Sequence, residues 1–162
     1  MSESDLSVFL RILIVAVLAG LLGWERESAG KSAGLRTHIL VGVASVLFVV
    51  IGEFMSHTFS DYGPHVRFDV ANLLGAIVTG VSFLGAGMIF FKKDSHDVKG
   101  LTTAAGILTT AAIGILVGLN KFVLAVGSTL IVFAVLKFAH FFEVRFLDPK
   151  DKREAVQETK ET

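Results

Sequence analysis

Two stretches, VANLLGAIVTGVSFLGAGMIFF (Val70 to Phe91) and LTTAAGILTTAAIGILVGL (Leu101 to Leu119), contain no charged residue. A helix of ~20 predominantly apolar residues spans the hydrocarbon core of a bilayer. Both stretches reach that length, and they decide the fold class: an all-α integral membrane protein. Working outward, three further apolar blocks flank them. The first runs over residues 6–24 and the second over residues 37–55, with the uninterrupted core Ile39 to Gly52; the last runs over residues 122–142, with Lys137 and His140 near its end. The pattern predicts a bundle of about five transmembrane helices over 6–24, 37–55, 70–91, 101–119 and 122–142. They form one domain, residues 1–146, followed by a charged cytoplasmic tail, residues 147–162.

The composition agrees. Of 162 residues, 52% are hydrophobic, and sixteen glycines stand against two prolines. The mean hydropathy is +0.68, too high for an ordinary soluble domain of this size. Glycine at this level suits close helix contact in a bilayer. There is no cysteine, which excludes disulfides, thiolate metal sites and cysteine nucleophiles. Glu3 and Asp5 precede the first positive charge, Arg11, so the first block reads as a retained span rather than a signal peptide.

Loop charges set the expected orientation. Lys and Arg accumulate on the cytoplasmic side. With the N-terminus outside and the C-terminus cytoplasmic, the inner segments hold Arg26, Lys31, Arg36, Lys92, Lys93, Lys99, Arg145, Lys150, Lys152, Arg153 and Lys160. The outer segments hold Arg67 and Lys121. Asn120 and Lys121 leave room only for a tight hairpin between the last two spans.

Candidate functional residues fall into groups. The inner loop carries Glu25, Arg26, Arg36, Thr37 and His38, a dense alternation of acids and bases between two helix ends. There a Glu25–Arg36 pair is expected, with a helix-linking turn at Gly34. In span three, Gly75, Thr79 and Gly80 offer a small face for another helix, in the same chain or a second copy. Gly85 and Gly87 are placed to break that helix. In span four, Thr102, Gly106 and Thr109 share one face, and Thr103 and Thr110 the neighbouring one; their hydroxyls can bond the backbone or another helix. Gly80, Gly85, Gly87, Thr102, Thr103 and Thr109 are thus the packing or pathway candidates. Glu53, His57, Asp61, His65 and Asp69 read as a solvated outer loop, interrupted by Gly63-Pro64, rather than a metal site. Arg11 and Lys137 are expected to snorkel to the nearer interface. No catalytic, cofactor or metal site is expected, and no nucleic-acid partner.

Four motifs in order carry a resemblance: Leu22-Gly23-Trp24-Glu25-Arg26-Glu27, Ala33-Gly34-Leu35-Arg36-Thr37-His38, Phe83-Leu84-Gly85-Ala86-Gly87 and Lys99-Gly100-Leu101-Thr102-Thr103-Ala104-Ala105. The chain resembles the MgtC/SapB family of bacterial inner-membrane proteins over about Leu6 to Phe142, in a short form without a C-terminal soluble domain. The resemblance implies a multi-pass inner-membrane protein linked to growth at low magnesium. It also implies a non-enzymatic regulator of membrane or ion homeostasis that acts on another membrane complex, such as the ATP synthase. A homo-oligomer within the lipid bilayer is the expected assembly. The alternative is an ion or small-solute carrier using spans three and four. The sequence departs from the family at Leu108, where a Trp is usual, and at Asn72 and Ala76, where an Arg and a Gln are usual; a virulence role is not carried over.

Overall fold

The computed structural model describes residues 3–60, 69–92 and 97–146. Among them are five helices and one small hairpin: α1 (Glu3–Ser28), α2 (Leu35–Ser60), α3 (Val70–Ala86), β1 (Phe90–Lys92), β2 (Asp97–Lys99), α4 (Leu101–Gly118) and α5 (Phe122–Phe146). The Gly63-Pro64 turn, Asp61, His65 and the tail from residue 147 lie outside the described residues. Three helical stretches are long and apolar enough to cross a membrane: Asp5–Ser28, Leu35–Thr58 and Leu101–Gly118. The block with the short apolar core, around Ile39 to Gly52, is one continuous helix. Bulky apolar side chains point outward along the helices, among them Leu13, Val17, Leu40, Phe83, Val123 and Ile131. A soluble domain would not leave that much apolar surface in water; a bilayer solvates it.

α1 ends in a left-handed glycine. Gly30 has φ 66°, and the Gly30 and Lys31 amides return to the Glu27 and Arg26 carbonyls at 3.0 Å each. These two bonds close a Schellman motif, which an L side chain at positive φ would strain. The turn residue is therefore Gly30 rather than Gly34. Asn120, with φ 59°, ends α4 in the same way, and the Lys121 amide reaches the Leu116 carbonyl at 2.8 Å. That cap makes the α4–α5 connection as tight as the sequence implied.

The third apolar block does not continue as helix to Phe91. α3 stops at Ala86, the Gly87 amide caps it on the Phe83 carbonyl, and Phe90–Lys92 pairs antiparallel with Asp97–Lys99. The glycines at 85 and 87 weaken the helix, and the hairpin then takes up the backbone groups of Phe90 to Lys92.

The core is a three-helix seam. Val15, Leu18 and Leu22 of α1 meet Val46 and Val50 of α2 and Ile113 and Val117 of α4, with Ala125 and Leu136 of α5 behind. α2 and α4 approach backbone to backbone. A Cβ at Gly114 would lie 2.7 Å from the Gly42 carbonyl oxygen, and one at Gly118 would lie 2.8 Å from Val49 Cβ. On α4 the buried small face is Thr103, Gly106, Thr110, Gly114 and Gly118. The seam is thus the Thr103/Thr110 face; Thr102 is exposed and Thr109 only half-buried. α3 buries few residues, Ile77 and Gly85 among those described. A Cβ at Gly75 or Gly80 would meet nothing within 4 Å. The expected packing of that face on another helix does not occur among the described residues.

Candidate functional site

The four motifs form two pairs distant in sequence, 22–27 with 33–38 and 83–87 with 99–105, and both pairs sit at one end of the bundle. At Gly23, α1 presses on α2: a Cβ there would lie 2.7 Å from Leu35 Cα and 3.0 Å from His38 Cβ. His38 in turn faces α4, with Nε2 3.6 Å from where a Gly106 Cβ would sit. Gly85 packs on Ala104, and Gly100, at φ 95°, leaves no room for a side chain against the Met88 carbonyl.

Within this end, Glu25 and Arg26 form a buried bidentate ion pair. Arg26 Nε donates to Glu25 Oε2, and Nη2 donates to Oε1 at 2.7 Å. Arg26 is 3% exposed and Glu25 8%. Pairing satisfies two charges that would otherwise be costly to bury. The expected Glu25–Arg36 pair does not form: Arg36 is exposed on the first turn of α2 and Arg26 occupies both carboxylate oxygens. α1 runs on to Ser28, which keeps Glu25 and Arg26 adjacent on its last turns.

Glu27 has a separate task. Its Oε2 accepts the Leu35 amide at 2.8 Å, at the N-terminus of α2. A carboxylate there satisfies an unpaired amide and complements the helix dipole. Gly34 leaves space for it, since a Cβ at Gly34 would lie 2.6 Å from the same oxygen. Glu27→Ala is expected to cost about 1 kcal/mol and to show as a lower melting temperature in detergent; an unchanged melting temperature would remove the cap from the account.

His38 is 1% exposed. Its Nδ1 lies 3.0 Å from the Gly34 carbonyl, which can only accept, so Nδ1 carries the proton. Nε2 is buried without a hydrogen-bond partner among the described residues. Thr37 is half-buried beside it, and Thr103 is buried on α4.

The pathway candidates do not converge on a conduit. Gly80 lines a groove between α2 and α3, Gly85 is buried against α4, and Gly87 is exposed at the helix end. Thr109, Thr110 and Thr129 donate to the carbonyls four residues earlier, at 2.8, 2.9 and 2.8 Å. Each hydroxyl is satisfied by its own helix. Among the described residues, no group of three acids or histidines is placed to hold a metal ion.

The opposite end holds a second charged centre. Arg11 does not snorkel. It is 8% exposed, and Nη1 donates to Glu53 Oε2 and to the Gly118 carbonyl, each at 3.0 Å. Glu53 is thus an ion-pair partner rather than a solvated loop acid, although its side chain is 48% exposed. The signal lay in the hairpin geometry. Arg11 is 18 residues before Ala29, and Glu53 is 19 residues after Gly34, so the antiparallel helices bring them to the same height.

A helical membrane protein with a polar knot at one end and an interhelical ion pair at the other is the class these features define. The chain belongs to the MgtC family, whose model matches residues 12–145. It is 36% identical over 141 residues to the Escherichia coli K12 protein named "Putative magnesium transporter YhiD", covering 86% of this chain and 63% of that relative. It is 39% identical over 119 residues to "Protein MgtC" of Brucella abortus, covering 74% of this chain and 45% of the relative. With "Protein MgtC" of Salmonella typhimurium the identity is 36% over 123 residues, covering 76% and 48%. The chain therefore spans about half to two-thirds of the length of these relatives. No solved structure matches it.

Proposed function

We propose that this chain is a non-enzymatic, multi-pass inner-membrane regulator of membrane or ion homeostasis. It acts on a membrane partner through the end of the bundle where the four motifs meet. The observation that carries this reading is the disposition of polar groups in the bundle. Arg26 neutralises Glu25, Arg11 holds Glu53, and the hydroxyls of Thr109, Thr110 and Thr129 bond their own helices. A divalent cation crossing the bundle would need oxygen ligands to replace its hydration shell. Among the described residues, the Glu53 carboxylate between α1 and α2 already faces the Arg11 guanidinium.

The carrier reading draws on the name of the Escherichia coli relative, "Putative magnesium transporter YhiD". Mg²⁺ uptake into proteoliposomes carrying the purified chain separates the two. No uptake above protein-free liposomes is expected. Saturable uptake that disappears on substitution of Thr102 or Thr109 would replace the regulator with a carrier.

The topology of this reading is five spans, with the N-terminus outside and the C-terminus cytoplasmic. It rests on the eleven inner against two outer loop cations named above. Reporter fusions should give an external signal at Ser60 and a cytoplasmic one at Thr162. A strong cytoplasmic signal at Ser60 would end the five-span arrangement.

A further inference from the structure

At the end of the bundle away from the four motifs, α2, α3 and the α4–α5 turn border a cavity of about 280 Å³. Glu53 and Ser56 stand one turn apart on the α2 wall, and Asn120 borders the cavity from the turn. Leu73 and Leu74 of α3, with Leu119, give it an apolar side. His57 also borders it.

The two glutamates that pair with arginines differ. Glu25 gives both oxygens to Arg26, and its side chain is 7% exposed. Arg11 engages Oε2 of Glu53 alone, and the Glu53 side chain is 48% exposed. Glu53 lines the cavity and Arg11 does not, so the carboxylate has the guanidinium on one side and the cavity on the other. Among the described residues, Glu53 is the one Asp, Glu, Lys or Arg on that wall. α4 brings its C-terminal end to the same space through Gly118 and Leu119, and the negative end of a helix dipole favours a cation.

The lining selects the kind of cation. A bare divalent ion takes about six or more oxygen ligands. Here one carboxylate stands beside a hydroxyl and an amide, and no group of three acids or histidines assembles among the described residues. Size agrees. A water takes ~30 Å³ of liquid volume, so a bare ion would leave most of the cavity empty, and the leucines offer it no ligand. A primary alkylammonium suits both walls. Its three N–H donors match Glu53, Ser56 and the Asn120 amide oxygen, and its hydrocarbon stem covers the leucines. We propose that this cavity binds a small primary alkylammonium solute, its ammonium on Glu53 and its stem against Leu73, Leu74 and Leu119. A regulator and a carrier can both hold such a site, so its failure leaves the functional reading untouched.

Ligand-observed NMR titration of the full chain in detergent tests it, with n-butylammonium as probe and n-butanol as the uncharged counterpart. n-Butylammonium should bind one saturable site, several-fold more tightly than n-butanol. Ser56→Leu fills the cavity from an exposed position and should abolish the site. If that variant fails to fold by circular dichroism, Leu74→Phe fills the cavity from α3. Asn120→Gly removes the amide but keeps the left-handed turn at φ 59°, and should weaken binding several-fold. Arg11→Leu frees the carboxylate from its competing cation and should tighten binding several-fold, which partition into detergent cannot mimic. Equal uptake of the two probes, uptake indifferent to filling, or unchanged or weaker binding in Arg11→Leu overturns the proposal. So does Mg²⁺ that displaces n-butylammonium at equal concentration, because that assigns the cavity to an inorganic cation.

Discussion

Gly114→Leu is expected to destabilise the bundle by about 3 kcal/mol, the upper end of what overpacking costs. Gly75→Leu is expected to change stability by less than about 0.5 kcal/mol. Both are glycine-to-leucine changes on membrane helices, so intrinsic propensity favours both alike. Surroundings separate them. A Cβ at Gly114 would sit 2.7 Å from the Gly42 carbonyl oxygen and 2.7 Å from Ser45 Cβ, whereas one at Gly75 meets nothing within 4 Å. The obstacle at Gly114 is backbone, which no rotamer change can move aside, so α2 and α4 must separate. Separation also withdraws Gly106 from His38 and opens the motif-bearing end of the bundle. Thermal unfolding in detergent measures the difference. Equal losses at the two positions would show that α2 and α4 do not cross at Gly114.

That crossing was partly legible in the sequence. Small residues on α4 were visible, but two faces competed. The face with Thr102, Gly106 and Thr109 and the face with Thr103 and Thr110 differ by one helical position. Spacing alone does not decide it: Gly106, Thr110, Gly114 and Gly118 form one buried stripe over three turns, but the same spacing of four reaches back to Thr102, which is exposed at the start of the helix. The apolar blocks fixed the helices because burial in lipid demands long uncharged runs. They hid the end of α3 for the same reason: Ile89, Phe90 and Phe91 prolong the apolar run although their backbone has left the helix. Only the glycines at 85 and 87 marked the stop. At the polar end, composition identified the right cluster but not the pairing. Glu25, Glu27, Arg26 and Arg36 allow several ion pairs, and the choice depends on side-chain direction at the end of α1. The open Nε2 of His38 has no counterpart in sequence at all, because it arises from what α4 places opposite the ring.

Charge removal at the other end should be asymmetric. Arg11 is 8% exposed and gives one nitrogen to both Glu53 and the Gly118 carbonyl, while the Glu53 side chain is 48% exposed. Glu53→Leu leaves a largely buried guanidinium with the Gly118 carbonyl to meet its charge, and at this part-buried pair the loss is about 2 kcal/mol. Arg11→Leu instead places an apolar side chain in an apolar site and leaves a carboxylate that water can reach. Its cost is nearer about 1 kcal/mol, mostly for the donor lost at Gly118. The Arg11→Leu/Glu53→Leu double variant should lose less than the sum of the two by at least about 1 kcal/mol, because neither charge is left alone. Melting temperatures of the three variants in one detergent give the cycle. Additive losses would mean that the pair carries no coupling. A larger loss for Arg11→Leu than for Glu53→Leu would place the value of the arginine in capping α4 rather than in tying α1 to α2.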